Sequence, residues 1–93
     1  MAVAVMVEAP GMNATQYDSA IKDVMPNGQP PKGCQSHVAG PMDGGWRVVD
    51  VWDSQEDFDA FAHSALAAAF QKIGFQGQPK ITVWPVHNIV AKH

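Results

Sequence analysis

The sequence is poor in several residue types that would point to common classes of protein. Its 93 residues include one cysteine, Cys34, which excludes an intramolecular disulfide and is typical of a reducing compartment. Six residues are basic and nine are acidic. The basic residues are scattered singly, so the chain has no positive stripe of the kind that binds nucleic acid. We therefore expect a cytoplasmic protein that does not bind nucleic acid.

Long apolar runs and leader-like segments are also missing. No stretch approaches the ~20 apolar residues of a membrane-spanning helix, so we expect no membrane partner. The N-terminus has neither the charged region nor the cleavable apolar segment of a secretory signal. No glycine-rich phosphate loop supports a nucleotide site. The chain is nevertheless 46% hydrophobic, which is ample for folding, and its length fits a single domain over residues 1–93.

The most informative stretch is Gly45–Phe70, which predicts one strand leading directly into one helix. Trp46–Trp52 is dense in Val and Trp, the residue types that suit a pleated surface. Side-chain alternation predicts one face made of Trp46, Val48, Asp50 and Trp52, and a second face made of Arg47, Val49 and Val51. Because both faces are largely apolar, we expect the strand to be buried on both sides. Asp50 then lies among large apolar neighbours, and a buried carboxylate needs a partner.

The helix after this strand has a predicted start, an apolar stripe and a predicted end. Ser54, followed three residues later by Asp57, has the form of a capping box. The stripe runs without a break through Phe58, Phe61, Ala62, Ala65, Leu66, Ala69 and Phe70. Gly74 is the predicted stop. The stripe predicts a closely docked helix, and its Phe side chains either fill the core or, as for Phe61, contact a bound ligand.

The remaining elements complete a β-α-β-β-α-β order. The predicted strands are Ala2–Val7, Cys34–Gly40 and Lys80–His87, and a helix begins near Asn13 and ends at Pro26. This order predicts an α+β, ferredoxin-like fold, with a four-stranded antiparallel sheet and two helices on one face. The other face of the sheet then needs a cover, and a second copy of the chain is the simplest one. We therefore expect a homodimer.

Several segments resemble a known superfamily. VVDVWDSQEDFDAF and the later WPVHN are similar to segments of the dimeric α+β barrel superfamily, in particular antibiotic-biosynthesis-monooxygenase-like domains. The chain also resembles small uncharacterised bacterial proteins that carry HVA, RVVDVW and PVHN segments. The resemblance extends from Ala2 to about Val90. It implies a dimeric α+β barrel with a pocket between each sheet and its own helices, and a position for Trp52 near that pocket. Relatives include cofactor-free monooxygenases, cyclases, isomerases, heme-binding enzymes and domains without known activity.

Histidines are the candidate acid/base residues. His37 lies on the second predicted strand, with Gln35 and Ala39 on the same face, and His87 lies at the end of the last. A histidine in an apolar pocket is a natural general base near neutral pH, and Asp50 is placed to orient one. Because the first and third strands of this fold are central, the two histidines fall on opposite edges of the sheet, and Asp50 reaches at most one. The structural alternative is a histidine bonded to a backbone carbonyl.

A metal site is not expected. Cys34 and His37 have the spacing of a metal-binding pair, but strand alternation places them on opposite faces, and no second pair is present.

The aromatic residues suit a flat apolar ligand. Tyr17, Trp46, Trp52 and Trp84 are candidates for stacking on a substrate, and burial in an ordinary core is the alternative. These features predict an enzyme that acts on a small apolar or aromatic molecule without metal or cofactor, and the resemblance implies the cofactor-free monooxygenase, cyclase or isomerase type. The alternative function is a non-catalytic ligand-binding or regulatory dimeric module.

Overall fold

The computed structural model describes residues 1–92 and has the predicted α+β element order. Its elements are β1 (Val3–Pro10), α1 (Ala14–Val24), β2 (Cys34–Met42), β3 (Gly45–Trp52), α2 (Gln55–Phe61), a π-helical turn (Ala62–Leu66), α3 (Ala67–Lys72) and β4 (Lys80–Pro85). The α2 helix, the π turn and α3 follow one another directly and form one second helix. No helix among the described residues is long and apolar enough to cross a membrane.

The four strands form one antiparallel sheet in the order β2-β3-β1-β4. The central positions of β1 and β3 are those predicted for a ferredoxin-like fold. Within this sheet Asp50 lies between Val5 of β1 and His37 of β2. Cross-strand neighbours share a face, so Asp50 is surrounded on the helix side by residues from both adjacent strands.

The hydrophobic core lies between the sheet and the second helix. It consists of Val3, Val5, Val7, Trp52 and Phe58. The Trp52 ring is fully buried and meets the Phe58 ring edge-on, with ring centroids 5.7 Å apart. Large aromatic side chains dominate the packing energy of a small core, so this pair anchors the second helix on the sheet.

The opposite face of the sheet is apolar and partly exposed in the single chain. Val38 is 67% exposed, Trp84 42% and Val49 36%. Val38 and Val49 are cross-strand partners, and Val49 also pairs with Met6. The expectation that β3 is buried on both sides therefore holds for its helix face but not for this open face.

Both predicted helix starts are present. The Asn13 side chain accepts the backbone N–H of Gln16 at 2.8 Å, and the Gln16 side chain accepts the N–H of Asn13 at 3.1 Å, which is a complete capping box. Ser54 Oγ accepts the N–H of Asp57 at 3.1 Å. These caps satisfy backbone donors that have no partner inside the helix.

The second helix ends in a Schellman motif at Gly74, which is the predicted stop. Gly74 has φ +71°, a left-handed conformation that glycine adopts without strain. Its N–H donates to the carbonyl of Gln71 at 3.1 Å, and the N–H of Phe75 donates to that of Phe70 at 3.1 Å. The Phe75 and Phe70 rings pack with centroids 5.4 Å apart, which is the hydrophobic contact that usually accompanies this motif.

The unbroken apolar stripe predicted for the second helix is wrong at its centre. The π turn at Ala62–Leu66 rotates the residues that follow it relative to a regular α-helix. Ala65, predicted to face the core, is exposed, whereas Ala69 is buried at 3% exposure. The π turn thus interrupts the stripe at Ala65, while Phe58 before it and Ala69 after it are both buried.

Three strands end at residues other than the predicted ones, and the first of them continues past Val7 to Pro10. The last strand was expected to extend to His87 but ends at Pro85, which has no N–H to donate to a neighbouring strand. The second strand continues past Gly40 to Met42 and includes Pro41, which an edge strand tolerates. His87 consequently lies outside the sheet.

Replacing the buried ring of the second helix should destabilise the fold strongly. Phe58 is 2% exposed, so Phe58→Ala should lower the free energy of unfolding by about 3–5 kcal/mol. Ile89→Ala, at a position 51% exposed beyond β4, should change it by less than about 0.5 kcal/mol. Denaturant titration measures both, and equal effects of the two substitutions would contradict the assigned core.

Candidate functional site

The centre of the site is Asp50, a carboxylate only 4% exposed on the helix face of β3. His37 Nδ1 lies 2.6 Å from Asp50 Oδ1. The Trp52 indole N–H donates to Asp50 Oδ2 at 3.2 Å. Each carboxylate oxygen therefore has a partner, which is the condition for keeping a carboxylate in an apolar core.

These contacts define the proton arrangement on His37. An ionised carboxylate only accepts hydrogen bonds, so Nδ1 of His37 carries the proton that Asp50 Oδ1 accepts. In a neutral imidazole Nε2 is then an acceptor, and the Tyr17 hydroxyl lies 2.5 Å from it and donates. The Tyr17 and His37 rings are parallel within 4°, with centroids 5.9 Å apart. Tyr17, His37 and Asp50 thus form one hydrogen-bonded chain, which we call the relay.

A β-bulge in β2 determines which side chains join the relay. The pairing of β2 with β3 shifts between Cys34 and Ser36, so that Cys34 pairs with Trp52 and His37 pairs with Asp50. Because Trp52 and Asp50 share a face, Cys34 and His37 also share one, contrary to the predicted alternation.

Gln35, in the bulge, is also misplaced by the sequence prediction. It was expected on the face of His37, but it is exposed and donates to Asp53 Oδ1 at 2.8 Å.

The relay ends at an apolar cavity between the sheet and the helices. The cavity has a volume of ≈ 60 Å³, and its walls include Met12, Ile21, Leu66 and Phe70. An engineered cavity that binds benzene has about 150 Å³. A single aromatic ring therefore needs more room than the cavity has in this conformation.

Trp46 adds a polar group to the cavity wall. Its ring lies 5.4 Å from that of Tyr17, tilted by 34°, and it lines the same cavity. Its indole N–H is buried and has no hydrogen-bond partner among residues 1–92. Trp46 was predicted as a stacking residue only, and nothing in the sequence pattern distinguishes its N–H from that of Trp52.

The structure brings together most of the predicted site residues. Tyr17, His37, Asp50 and Phe61 line the cavity, and Trp52 lies fully buried beneath them as the second partner of Asp50. Sequence reasoning placed Tyr17 among the stacking residues and missed its bond to His37. The only sequence signal was its helical spacing with Ala20, Ile21 and Val24, which turns it towards the sheet.

His87 and Trp84 are not brought to the cavity. His87 is exposed beyond the end of β4. Trp84 pairs with Ala4, on the open face of the sheet, and side-chain alternation directs it away from the helices. Neither residue is among those that line the cavity. The arrangement therefore contains one of the two predicted histidines.

The surroundings of Asp50 raise the pKa of two neighbouring groups. Burial, and then the negative charges of Asp50 and Asp18, raise the pKa of the Tyr17 hydroxyl. Burial, and then the charge of Asp50, raise the pKa of the Cys34 thiol from 9.0 to about 11. At neutral pH both groups keep their protons, so Tyr17 is a donor to His37 in the resting site. Within residues 1–92 no cluster of three or more His, Cys, Asp or Glu side chains is arranged to hold a metal ion.

Comparison with known proteins identifies the fold. No protein-family model matches the sequence, and no curated protein matches it significantly. Among solved structures, NE2512 of Nitrosomonas europaea, a protein of unknown function, aligns with a TM-score of 0.74 at 16% identity, over 99% of this chain and 95% of its own. Rv0793 of Mycobacterium tuberculosis aligns with a TM-score of 0.70 at 17% identity, over 98% and 100%.

SnoaB of Streptomyces nogalater, a cofactor-independent oxygenase, aligns with a TM-score of 0.63 at 12% identity, over 98% of this chain and 97% of its own. The resemblance to monooxygenase-like proteins predicted from the sequence is confirmed for the fold.

The raised pKa of Cys34 should appear in its thiolate titration. With a pKa of about 11 instead of 9.0, the thiolate fraction at pH 8 is roughly 100-fold lower than ordinary. Thiolate absorbance in the ultraviolet, or the pH profile of alkylation, should give a midpoint well above 9. Asp50→Asn removes a negative charge and should lower this midpoint, whereas Asp43→Asn, in the turn between β2 and β3, should not. A wild-type midpoint near 9 would contradict the partly buried position of the thiol beside Asp50.

Proposed function

We propose that the protein is an enzyme of the cofactor-free monooxygenase, cyclase or isomerase type. In this proposal it removes a proton from a hydroxyl or enolisable group of a small apolar or aromatic substrate. The observation that carries the proposal is the relay of Tyr17, His37 and Asp50, which ends at an apolar cavity. A base held at the wall of an apolar cavity is the arrangement expected for general base catalysis on an apolar substrate.

The relay supports a proton transfer in which each residue has one role. His37 Nε2 accepts the Tyr17 proton while the Tyr17 oxygen accepts a proton from the substrate. The substrate loses one proton, His37 gains one, and Tyr17 is unchanged overall. Asp50 holds the required tautomer of His37 and stabilises the imidazolium that forms. Because its pKa is raised, Tyr17 is neutral before the substrate arrives and transmits the proton rather than storing a negative charge.

Loss of this proton is a suitable first step for each reaction type named above. A deprotonated phenol or enol is electron-rich, so it can close a ring, return the proton at another carbon, or react with molecular oxygen. The fold shared with the cofactor-independent oxygenase SnoaB supports the oxygen reaction among these alternatives. Exclusion of water by the apolar walls would protect the reactive anion.

Removing the Tyr17 hydroxyl should abolish turnover without unfolding the protein. Tyr17→Phe keeps the ring and deletes the hydroxyl that takes the proton from the substrate. His37→Asn deletes the group that accepts the proton from Tyr17. Each should lower the rate by at least about 100-fold, the lower end of the usual contribution of a general base. His63→Asn, at an exposed histidine of the second helix, should leave the rate unchanged.

The assay uses a panel of hydroxylated one- and two-ring aromatic compounds in air. An oxygen electrode detects oxygenation, and mass spectrometry detects cyclised or isomerised products. Ligand binding without any turnover across the panel would contradict the enzymatic function and favour the alternative of a non-catalytic binding module.

We further propose that the functional assembly is a homodimer formed through the open face of the sheet. Val38 and Val49 are exposed there as a cross-strand pair, with Met6 beside Val49 and Trp84 on β4. A contiguous apolar patch on a sheet face is a common mark of an interface. The open face of a second chain is equally apolar and has the same pleat, so the two faces can pack against each other.

A charge in the centre of the open face should separate the dimer. Light scattering at micromolar concentration should give twice the chain mass for the wild type, and Val49→Asp should give the monomer mass because it places an unpaired charge in the interface. Gln71→Glu adds the same charge at an exposed helix position and should remain dimeric. A stable wild-type monomer would contradict the proposed assembly.

A further inference from the structure

The indole N–H of Trp46 is a buried polar group of the cavity wall that the relay does not use. It is buried and has no partner among the described residues, whereas the indole N–H of Trp52 donates to Asp50. Buried polar groups in native proteins are nearly always hydrogen-bonded, so an unpaired one calls for an explanation. A bound molecule that supplies an acceptor is one such explanation.

The position of Trp46 limits where that acceptor comes from. It faces the helix side with Val48 and Asp50, and its cross-strand neighbours, Ala9 and Pro41, carry no polar side-chain atom. The neighbouring ring is that of Tyr17, whose hydroxyl is already bonded to His37. The cavity is the remaining space from which an acceptor can approach.

Tyr17 and Trp46 present opposite hydrogen-bonding requirements to a ligand. The Tyr17 hydroxyl gives its hydrogen to His37, so its oxygen is free to accept a hydrogen bond from a ligand O–H. The Trp46 N–H can only donate. A molecule that satisfies both carries a hydroxyl group and a separate acceptor oxygen on an apolar frame.

We infer that Trp46 binds the carbonyl oxygen of a substrate whose hydroxyl group faces Tyr17, and that the substrate is an aromatic compound bearing a hydroxyl and a conjugated carbonyl. This inference rests on the proposed function of the relay. When the hydroxyl proton leaves towards Tyr17 and His37, the negative charge spreads over the ring onto the carbonyl oxygen. The Trp46 N–H then stabilises that charge, in the way that a fixed donor in a dry site stabilises an oxyanion.

The test compares two ligands of similar size, 4′-hydroxyacetophenone and 4-ethylphenol, which differ in the carbonyl oxygen. Binding is followed by the indole N–H signals of the three tryptophans in nitrogen-15 NMR spectra, and Trp46→Phe identifies the signal of Trp46. The ketone should shift the Trp46 signal downfield, as expected for a new hydrogen bond, and 4-ethylphenol should not.

Affinities of the variants provide the second measurement. Trp46→Phe should weaken binding of the ketone by about threefold to tenfold, the usual range for one hydrogen bond, and leave the affinity for 4-ethylphenol within about twofold. His63→Asn, at an exposed position of the second helix, should change neither affinity. An unmoved Trp46 signal with the ketone at millimolar concentration, or equal weakening of both ligands by Trp46→Phe, would overturn the inference.

The outcome for Trp46 is distinguishable from that for the relay. If the ketone binds through Trp46 and no hydroxylated compound is turned over, the binding inference stands and the enzymatic function fails. If Tyr17→Phe abolishes turnover while Trp46→Phe weakens the binding of both ligands equally, the function of the relay is supported and the proposed role of Trp46 is wrong.

Discussion

The burial of the Asp50 carboxylate is the constraint on which the site depends. At 4% exposure this group has no access to bulk water, so the chain itself must supply its hydrogen-bond donors. One donor comes from Trp52, two residues along the same strand, and the other from His37 on the neighbouring strand. The ring of His37 is thereby oriented so that its second nitrogen meets Tyr17 on α1. A single buried charge thus links the sheet to the first helix.

Stability alone does not require this charge. Replacing both partners of a buried hydrogen bond by apolar groups of the same shape can be nearly neutral or stabilising, so a carboxylate and a neutral histidine in a core of valines and aromatic rings are weak evidence of a stabilising role. Burying Asp50 costs free energy, and its charge in turn acts on the neighbouring groups. It fixes the tautomer of His37 and helps to keep Tyr17 protonated. These are the properties that the proposed proton transfer requires.

Local patterns in the sequence were sufficient for the element order and the need for a partner at Asp50. The capping residues Asn13 and Ser54 and the stop at Gly74 are short-range signals, and each is present in the structure. Two of the errors come from single extra residues. The bulge at Gln35 puts the side chains of Cys34 and His37 on the same face of β2, and the π turn exposes Ala65. Such insertions depend on packing against the rest of the fold, so periodicity within one strand or helix does not reveal them.

The alternation of β3 connects the site to the proposed dimer. Asp50 faces the relay, while its sequence neighbours Val49 and Val51 face the open side. In a dimer formed through that side, contacts with the second chain would restrain the backbone on both sides of Asp50. The distances within the relay, 2.6 Å from Asp50 to His37 and 2.5 Å from His37 to Tyr17, leave little freedom for the strand to shift. Assembly and proton transfer would therefore depend on the same strand, and a cover on the open face would help to hold the relay in its hydrogen-bonded geometry.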